Sequence, residues 1–302
     1  MDMPVTSSAR VTCRDASWPL SQLTLAGMSW SSPAAAVPSR PLVLLHGWLD
    51  NCLSFTRLAP ELASLGPVHA IDMAGHGHSG HRSPGQSYWL MDYVSDLAEL
   101  LEHSLCPGAD DRVDLVGHSL GGIVAGLYAA AFPERVRRLV MIDSLGAISR
   151  PLEDTVPQLR RAIGKRLRGS GRAVVYPDIT TAAKAREGGV SPLSHEAALT
   201  LVPRNLKPVE RGFVWRTDPR LRHPSPLMMT EDQVRATLAA ITTPTLLVQA
   251  ANGLLASRGQ LVERAGLIRD LSVIEVPGGH HCHLDGDTAP VARAVSRFLE
   301  QP

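Results

Sequence analysis

Apolar residues along this 302-residue chain gather into short continuous runs, separated by stretches of helical period. Runs at 42–46, 68–72, 113–116, 139–143, 245–249 and 272–276 lack polar alternation, which predicts strands buried on both faces of a parallel sheet. Between them, helical spacing predicts helices over 55–65, 90–105, 120–132 and 260–267. The second carries an unbroken stripe of Leu90, Val94, Leu97, Leu101 and Leu105. Val291, Val295, Phe298 and Leu299 predict one more helix at the end. Strand–helix alternation of this kind predicts an α/β fold with a doubly wound, mostly parallel sheet. Weaker strands around Leu23 and Met28 predict an antiparallel edge.

The rhythm breaks between Leu145 and about Thr243, a stretch too long for a plain loop in a compact domain. It holds prolines, glycines, short helical patches and a basic run at Arg160, Arg161, Lys165, Arg166 and Arg168. The expectation is a helical cap over 145–243, inserted between a first core part at 1–144 and a second at 244–302. The basic run reads first as a solvated helix face and second as a contact for an anionic substrate or surface.

Composition narrows the class. A hydrophobic fraction of 44%, 20% charged residues and a net charge of +1 give no reason to expect a nucleic-acid partner. Cys13, Cys52, Cys106 and Cys282 lie far apart, without the spacing of a disulfide framework or zinc ribbon. Residues 1–20 lack an apolar run of signal-peptide length, and no stretch approaches the ~20 apolar residues of a membrane span. The expectation is a soluble, cytoplasmic protein; the oligomeric state is not fixed by sequence.

The most specific chemistry lies at Gly117-His118-Ser119-Leu120-Gly121, entered from an apolar run and left into a helical one. A serine on such a tight strand-to-helix turn needs flanking glycines, because side chains there collide with neighbouring backbone. The turn exposes Ser119 Oγ as a candidate nucleophile, and the free N–H groups of the helix start can stabilise a negative oxygen. A serine hydroxyl needs a base. Histidines at 280, 281 and 283 follow the last predicted strand at the carboxyl edge of the sheet, and His280, directly after a glycine pair, is the first choice, with His281 next. A metal cluster fits poorly, since tetrahedral sites show cleaner ligand spacing, and Cys282 lacks any elbow. An acid must orient the base. The run at 245–249 is followed by Ala250-Ala251-Asn252-Gly253, without a carboxylate, whereas Asp143 ends the strand beside the nucleophile strand. A helix cap or turn is the alternative role for Asp143. For the developing oxyanion, the N–H of Leu120 and the N–H of Trp48, in the glycine turn His46-Gly47-Trp48, are the candidate donors. The Trp48 indole is placed at the acyl pocket and His118, beside the nucleophile, at the substrate.

Leu44-Leu45-His46-Gly47, Asp72-Met73-Ala74-Gly75-His76-Gly77-His78-Ser79, the 117–122 turn and Gly279-His280 together resemble the α/β-hydrolase superfamily in order and over essentially the whole chain. His46-Gly47-Trp48-Leu49-Asp50-Asn51, Ser54-Phe55, Ser83-Pro84-Gly85 and Phe132-Pro133-Glu134 are similar to its serine hydrolase-like subgroup. The resemblance implies Ser119 as nucleophile, His280 as base, oxyanion donors at Trp48 and Leu120, and an inserted helical cap. The chain departs from the usual pattern at the acid. Many members carry it after the strand matching 245–249, some one strand earlier, at the position of Asp143. Either the triad is Ser119–Asp143–His280 or the site is a weakened pair. The expected activity is hydrolysis of a small carboxylic ester without cofactor or metal. Thioester, lactone or carbon–carbon bond cleavage by the same serine is the nearest alternative, and a silent ligand-binding protein is another.

Overall fold

A computed structural model describes residues 11–35, 40–189, 191–256, 259 and 261–301. Its strands are β1 (Thr12–Pro19), β2 (Thr24–Ser31), β3 (Leu42–Leu45), β4 (Val68–Asp72), β5 (Val113–His118), β6 (Val136–Ile142), β7 (Leu206–Val209), β8 (Gly212–Trp215), β9 (Thr245–Asn252) and β10 (Leu271–Gly279). Its helices are α1 (Ala59–Leu62), α2 (Leu90–Leu100), α3 (Leu120–Ala131), α4 (Thr155–Arg168), α5 (Ile179–Glu187), α6 (His195–Asn205), α7 (Glu231–Ala239), α8 (Leu261–Ala265) and α9 (Ala289–Glu300).

One eight-stranded sheet runs in the order β1-β2-β4-β3-β5-β6-β9-β10. The pairs from β4 through β3, β5, β6 and β9 to β10 are parallel, while β1–β2 and β2–β4 are antiparallel. Both faces are covered, as the uninterrupted apolar runs require. Val43, Leu45, Leu115 and Met141 pack with Leu97 of α2 and Val124 of α3 on one side. Their neighbours Leu42, Leu44, Val116 and Val140 pack with Val291 and Val295 of α9 on the other. Adjacent residues of one strand thus feed two separate layers, which explains why no alternation is visible.

Several boundaries differ from expectation for local reasons. The helix expected over 55–65 is a 3-10 turn at Cys52–Phe55 followed by the four-residue α1, with Pro60 in its first turn. The 90–105 helix is α2 continued by a π-turn at Leu101–Leu105. The helix expected from 260 is α8; Gln260 itself lies outside the described residues. The stretch expected as a cap, 145–243, divides by packing. α5, α6 and the β7–β8 hairpin share a small core around Ala183, Ala198 and Leu201. Val234 and Leu238 of α7 instead join the main core beside α3. No helix among the described residues is long and apolar enough to cross a membrane.

Candidate active site

The end of β5 turns abruptly into α3 at Ser119, whose φ of 50° and ψ of −115° lie outside the relaxed regions. Such a backbone costs on the order of 1–3 kcal/mol and persists only where surroundings fix it. Here they do. The Ser119 N–H donates to the Ile142 carbonyl (3.1 Å), and the Ser119 carbonyl accepts from Ile123 N–H (3.1 Å) and Ser144 Oγ (2.7 Å). A Cβ on Gly121 would lie 2.0 Å from the Leu45 carbonyl oxygen, and one on Gly117 2.4 Å from Gly121 backbone. Only glycine permits the strand and helix to approach this closely.

His280 follows β10 and donates from Nδ1 to Asp143 Oδ2 at 2.6 Å. A carboxylate only accepts, so Nδ1 carries the proton and Nε2 is left as the acceptor. Asp143, directly after β6, adopts φ 43° and is buried. Its carboxylate also accepts from the amides of Leu254 (2.9 Å), Ala250 (3.4 Å) and Leu255 (3.5 Å). A Cβ on Gly253 would sit 2.3 Å from Asp143 Oδ1. The missing side chain after β9 therefore makes the space that the carboxylate from the neighbouring strand fills.

Opposite the elbow, residues 46–51 form a tight turn. Asp50 N–H returns to the Gly47 carbonyl (3.1 Å) and Leu49, at φ 66°, donates its N–H to His76 Nε2 (3.2 Å). The Trp48 amide takes part in neither bond. Leu120 is the first residue of α3, where an N–H has no acceptor within the helix. Trp48 Nε1 donates to the Leu221 carbonyl (3.1 Å), holding the indole over a cavity of about 660 Å³. Trp48, Leu120, Ile123, Leu221 and Met228 are among its lining, which is mainly apolar.

His118 does not reach this cavity. Expected at the substrate, it is fully buried behind the elbow, because the last residue of β5 points beneath the sheet edge rather than outward with Ser119. Its Nε2 donates to the His280 carbonyl (2.9 Å), so it holds the backbone of the candidate base. His281 is likewise spoken for: its Nε2 donates to Asp50 Oδ2 (2.9 Å) in the interior. His283 packs on His118, ring centroids 4.3 Å apart. Cys282 is buried, and burial with the nearby Asp143 carboxylate pushes its thiol up to about 12, far from a thiolate nucleophile.

Sequence patterns did not reveal the partners that the insertion sends to this turn. Arg186 of α5 donates to Asp50 Oδ1 (2.9 Å), Asn205 of α6 to the Leu49 carbonyl (3.2 Å), and Asn51 to the Leu201 carbonyl (2.8 Å). Arg204 reaches Asp72 Oδ2 (2.8 Å), whose Oδ1 accepts the Cys52 amide (2.8 Å). The only sequence signal was the acidic Asp50 and Asp72 beside apolar runs, since a buried carboxylate needs a cationic partner. Burial alone would raise the Asp50 pKa; His281 and Arg186 overcome it and hold the group well below the usual carboxylate range. Asp50, His118 and His281 bring potential ligand atoms within 4.8 Å of one another. Arg186 already balances that carboxylate, which disfavours a cation there.

Burial also makes the fold acid-sensitive. His46 Nε2 accepts the Met73 amide (3.0 Å) and His76 Nε2 the Leu49 amide, roles open only to neutral rings. Burial lowers His46 and carries His76 and His283 down to about 3, with neighbouring imidazoles adding to the last two. An unfolded imidazole titrates near 6.5, so between roughly pH 6.5 and 3 the unfolded chain binds more protons. Stability is then present above pH 6.5 and falls by up to about 1.4 kcal/mol per pH unit for each such histidine. Asp96, raised by burial to about 6, opposes this in part. Calorimetry should find a clearly lower Tm at pH 5 than at pH 7.5; an equal Tm contradicts the assignment of neutral buried rings.

Comparison with known proteins bears on the fold and the family. Residues 40–287 match the family model of the alpha/beta hydrolase fold. A serine hydrolase-like protein of Danio rerio is 30% identical over 271 residues, covering 86% of this chain and 82% of that protein. Serine hydrolase-like protein 2 of Homo sapiens is 30% identical over 302 residues, covering 93% and 94%. The crystal structure of a hypothetical protein of Pseudomonas aeruginosa PAO1 superposes with a TM-score of 0.85 at 39% identity, covering 94% of this chain and 97% of that one. A strained serine elbow, a parallel sheet in this order and matches along nearly the whole length lead to one conclusion: the chain belongs to the α/β-hydrolase fold family, in its serine hydrolase-like group.

Proposed function

We propose that this hydrolase cleaves carboxylic esters of apolar acids through an acyl-enzyme formed on Ser119. The observation that carries the proposal is the 2.6 Å bond from His280 Nδ1 to Asp143, which fixes the tautomer that accepts a proton at Nε2. Ser119 Oγ attacks the ester carbonyl as its proton passes to His280 Nε2. The imidazolium, stabilised by Asp143, then gives that proton to the leaving alcohol. The carbonyl oxygen, negative in the tetrahedral intermediate, accepts from the Trp48 and Leu120 amides, each donor lowering the barrier by ~3–4 kcal/mol. Water, deprotonated by the same His280, attacks the acyl-enzyme; the acid leaves and Ser119 recovers its proton. No cofactor or metal enters these steps.

The apolar cavity beside Trp48 and Leu120 supports an uncharged acyl group of short to medium length. A panel of p-nitrophenyl esters of rising acyl length, with a thioester and a lactone alongside, tests this. Burial is worth ~0.8 kcal/mol per methylene, so kcat/KM should rise up to about fourfold per added methylene until the cavity is filled. Values that fall from acetate onward, or a thioester or lactone preferred over every ester, contradict the ester assignment.

A further inference from the structure

Helix α4 presents an apolar stripe to solvent. Val156, Leu159, Ile163 and Leu167 are 42 to 83% exposed, and Leu152 in the turn just before the helix is 74% exposed. At 100° per residue the four helical positions fall within a sector of about 80°. Gln158 and Ala162, the buried residues of α4, lie about 140° and 100° around the helix from the centre of the stripe, so the stripe is turned away from the protein. Arg166 and Arg160 border it, one on each side. Between Thr155 and Arg168 the helix carries five cations, Arg160, Arg161, Lys165, Arg166 and Arg168, and no carboxylate. A stripe of large apolar side chains edged by arginine is the composition of a helix lying in a lipid headgroup boundary.

The position of α4 gives that surface a purpose. Its first turns share a crevice with Pro226, Leu227 and Met228, and the last two of these also line the cavity beside the candidate nucleophile. Trp89, Met91, Ile148 and Leu227 line the same cavity and are themselves exposed, so its mouth is apolar. At the other end Arg166 donates to the Gly85 carbonyl (2.7 Å), fastening the helix next to the Trp89 segment. A second copy of the chain is a poorer occupant, since isologous pairing over the stripe would bring the bordering Arg160 and Arg166 of both copies together with no carboxylate on the helix to offset them.

We propose that α4 is an interfacial helix that seats this protein on anionic lipid surfaces, its apolar stripe among the acyl chains and its arginines at the phosphates. The helix lies on the surface and does not span it. This goes beyond the ester reading and does not depend on turnover.

The test is co-sedimentation of the full chain with vesicles of phosphatidylcholine alone or with phosphatidylglycerol at roughly 7:3. The wild type should sediment with the anionic vesicles, not with the zwitterionic ones, and be released at about 0.5 M salt. L159D/I163D and R160E/R168E should each weaken binding about tenfold or more. Their Tm and turnover of a soluble short-chain ester should stay at wild-type values, which separates docking from folding. Absence of wild-type binding to anionic vesicles overturns the proposal, as does unchanged binding by both variants. A solution dimer that L159D/I163D makes monomeric, with no vesicle binding, assigns the stripe to a second copy and overturns it too. Ser119→Ala should bind vesicles like the wild type, so failure of docking and failure of catalysis are read separately.

Discussion

Replacing Ser119 with alanine is expected to lower ester turnover by on the order of a millionfold, the cost of losing the nucleophile of a concerted triad. The fold should survive. The elbow is held by bonds to its backbone, from Ser119 N–H to Ile142 and from Ser144 Oγ and Ile123 N–H to the Ser119 carbonyl, none of which needs the hydroxyl. Tm should therefore match the wild type while steady-state hydrolysis of a p-nitrophenyl ester disappears into background. Residual turnover within a hundredfold of wild type would mean that another group attacks.

Asp143→Asn should be the next most damaging substitution, lowering kcat about ten-thousandfold with KM little changed. An asparagine amide facing His280 Nδ1 favours the tautomer with the proton on Nε2, which cannot accept from Ser119. Gly253→Ala offers a second route to the same defect: its methyl would enter the space of the carboxylate, 2.3 Å from Oδ1, and push Asp143 off His280. If Asp143→Asn retains near-wild-type turnover, Asp143 is a structural turn residue and the site works as a Ser119–His280 pair.

The parallel sheet was legible because buried strands announce themselves as apolar runs, and all six runs stand where β3, β4, β5, β6, β9 and β10 lie. β10, at the sheet edge, is nonetheless mostly exposed rather than buried on both faces. The outer strand β1 was not. Most of its side chains face water and its sequence lacks an apolar signal, so its antiparallel partnership with β2 is set by pairing rather than by burial. Within the insertion, the β7–β8 hairpin was hidden for the same reason, with three of four β7 residues exposed. At the site, the elbow could be read from Gly117, Ser119 and Gly121 because glycine spacing reports backbone geometry directly. His118 could not. Whether the residue before the nucleophile faces the cavity or the interior depends on where the strand end points. The pairs Arg186–Asp50 and Arg204–Asp72 join residues 136 and 132 positions apart, a separation at which no local pattern carries information. Asp143 lies between these cases. Sequence narrowed the acid to one carboxylate or none, and the contact with His280 favours the first.

The most direct measurement is labelling of the intact protein with a fluorophosphonate, followed by mass analysis of the modified peptide. Such a probe phosphonylates a serine only when a base and an oxyanion site activate it. One adduct is expected, on Ser119, formed in the wild type, greatly slowed in Asp143→Asn and absent in Ser119→Ala. A wild type that resists the probe and also leaves activated esters intact would contradict it, and would leave a hydrolase fold that binds its ligand without cleaving it.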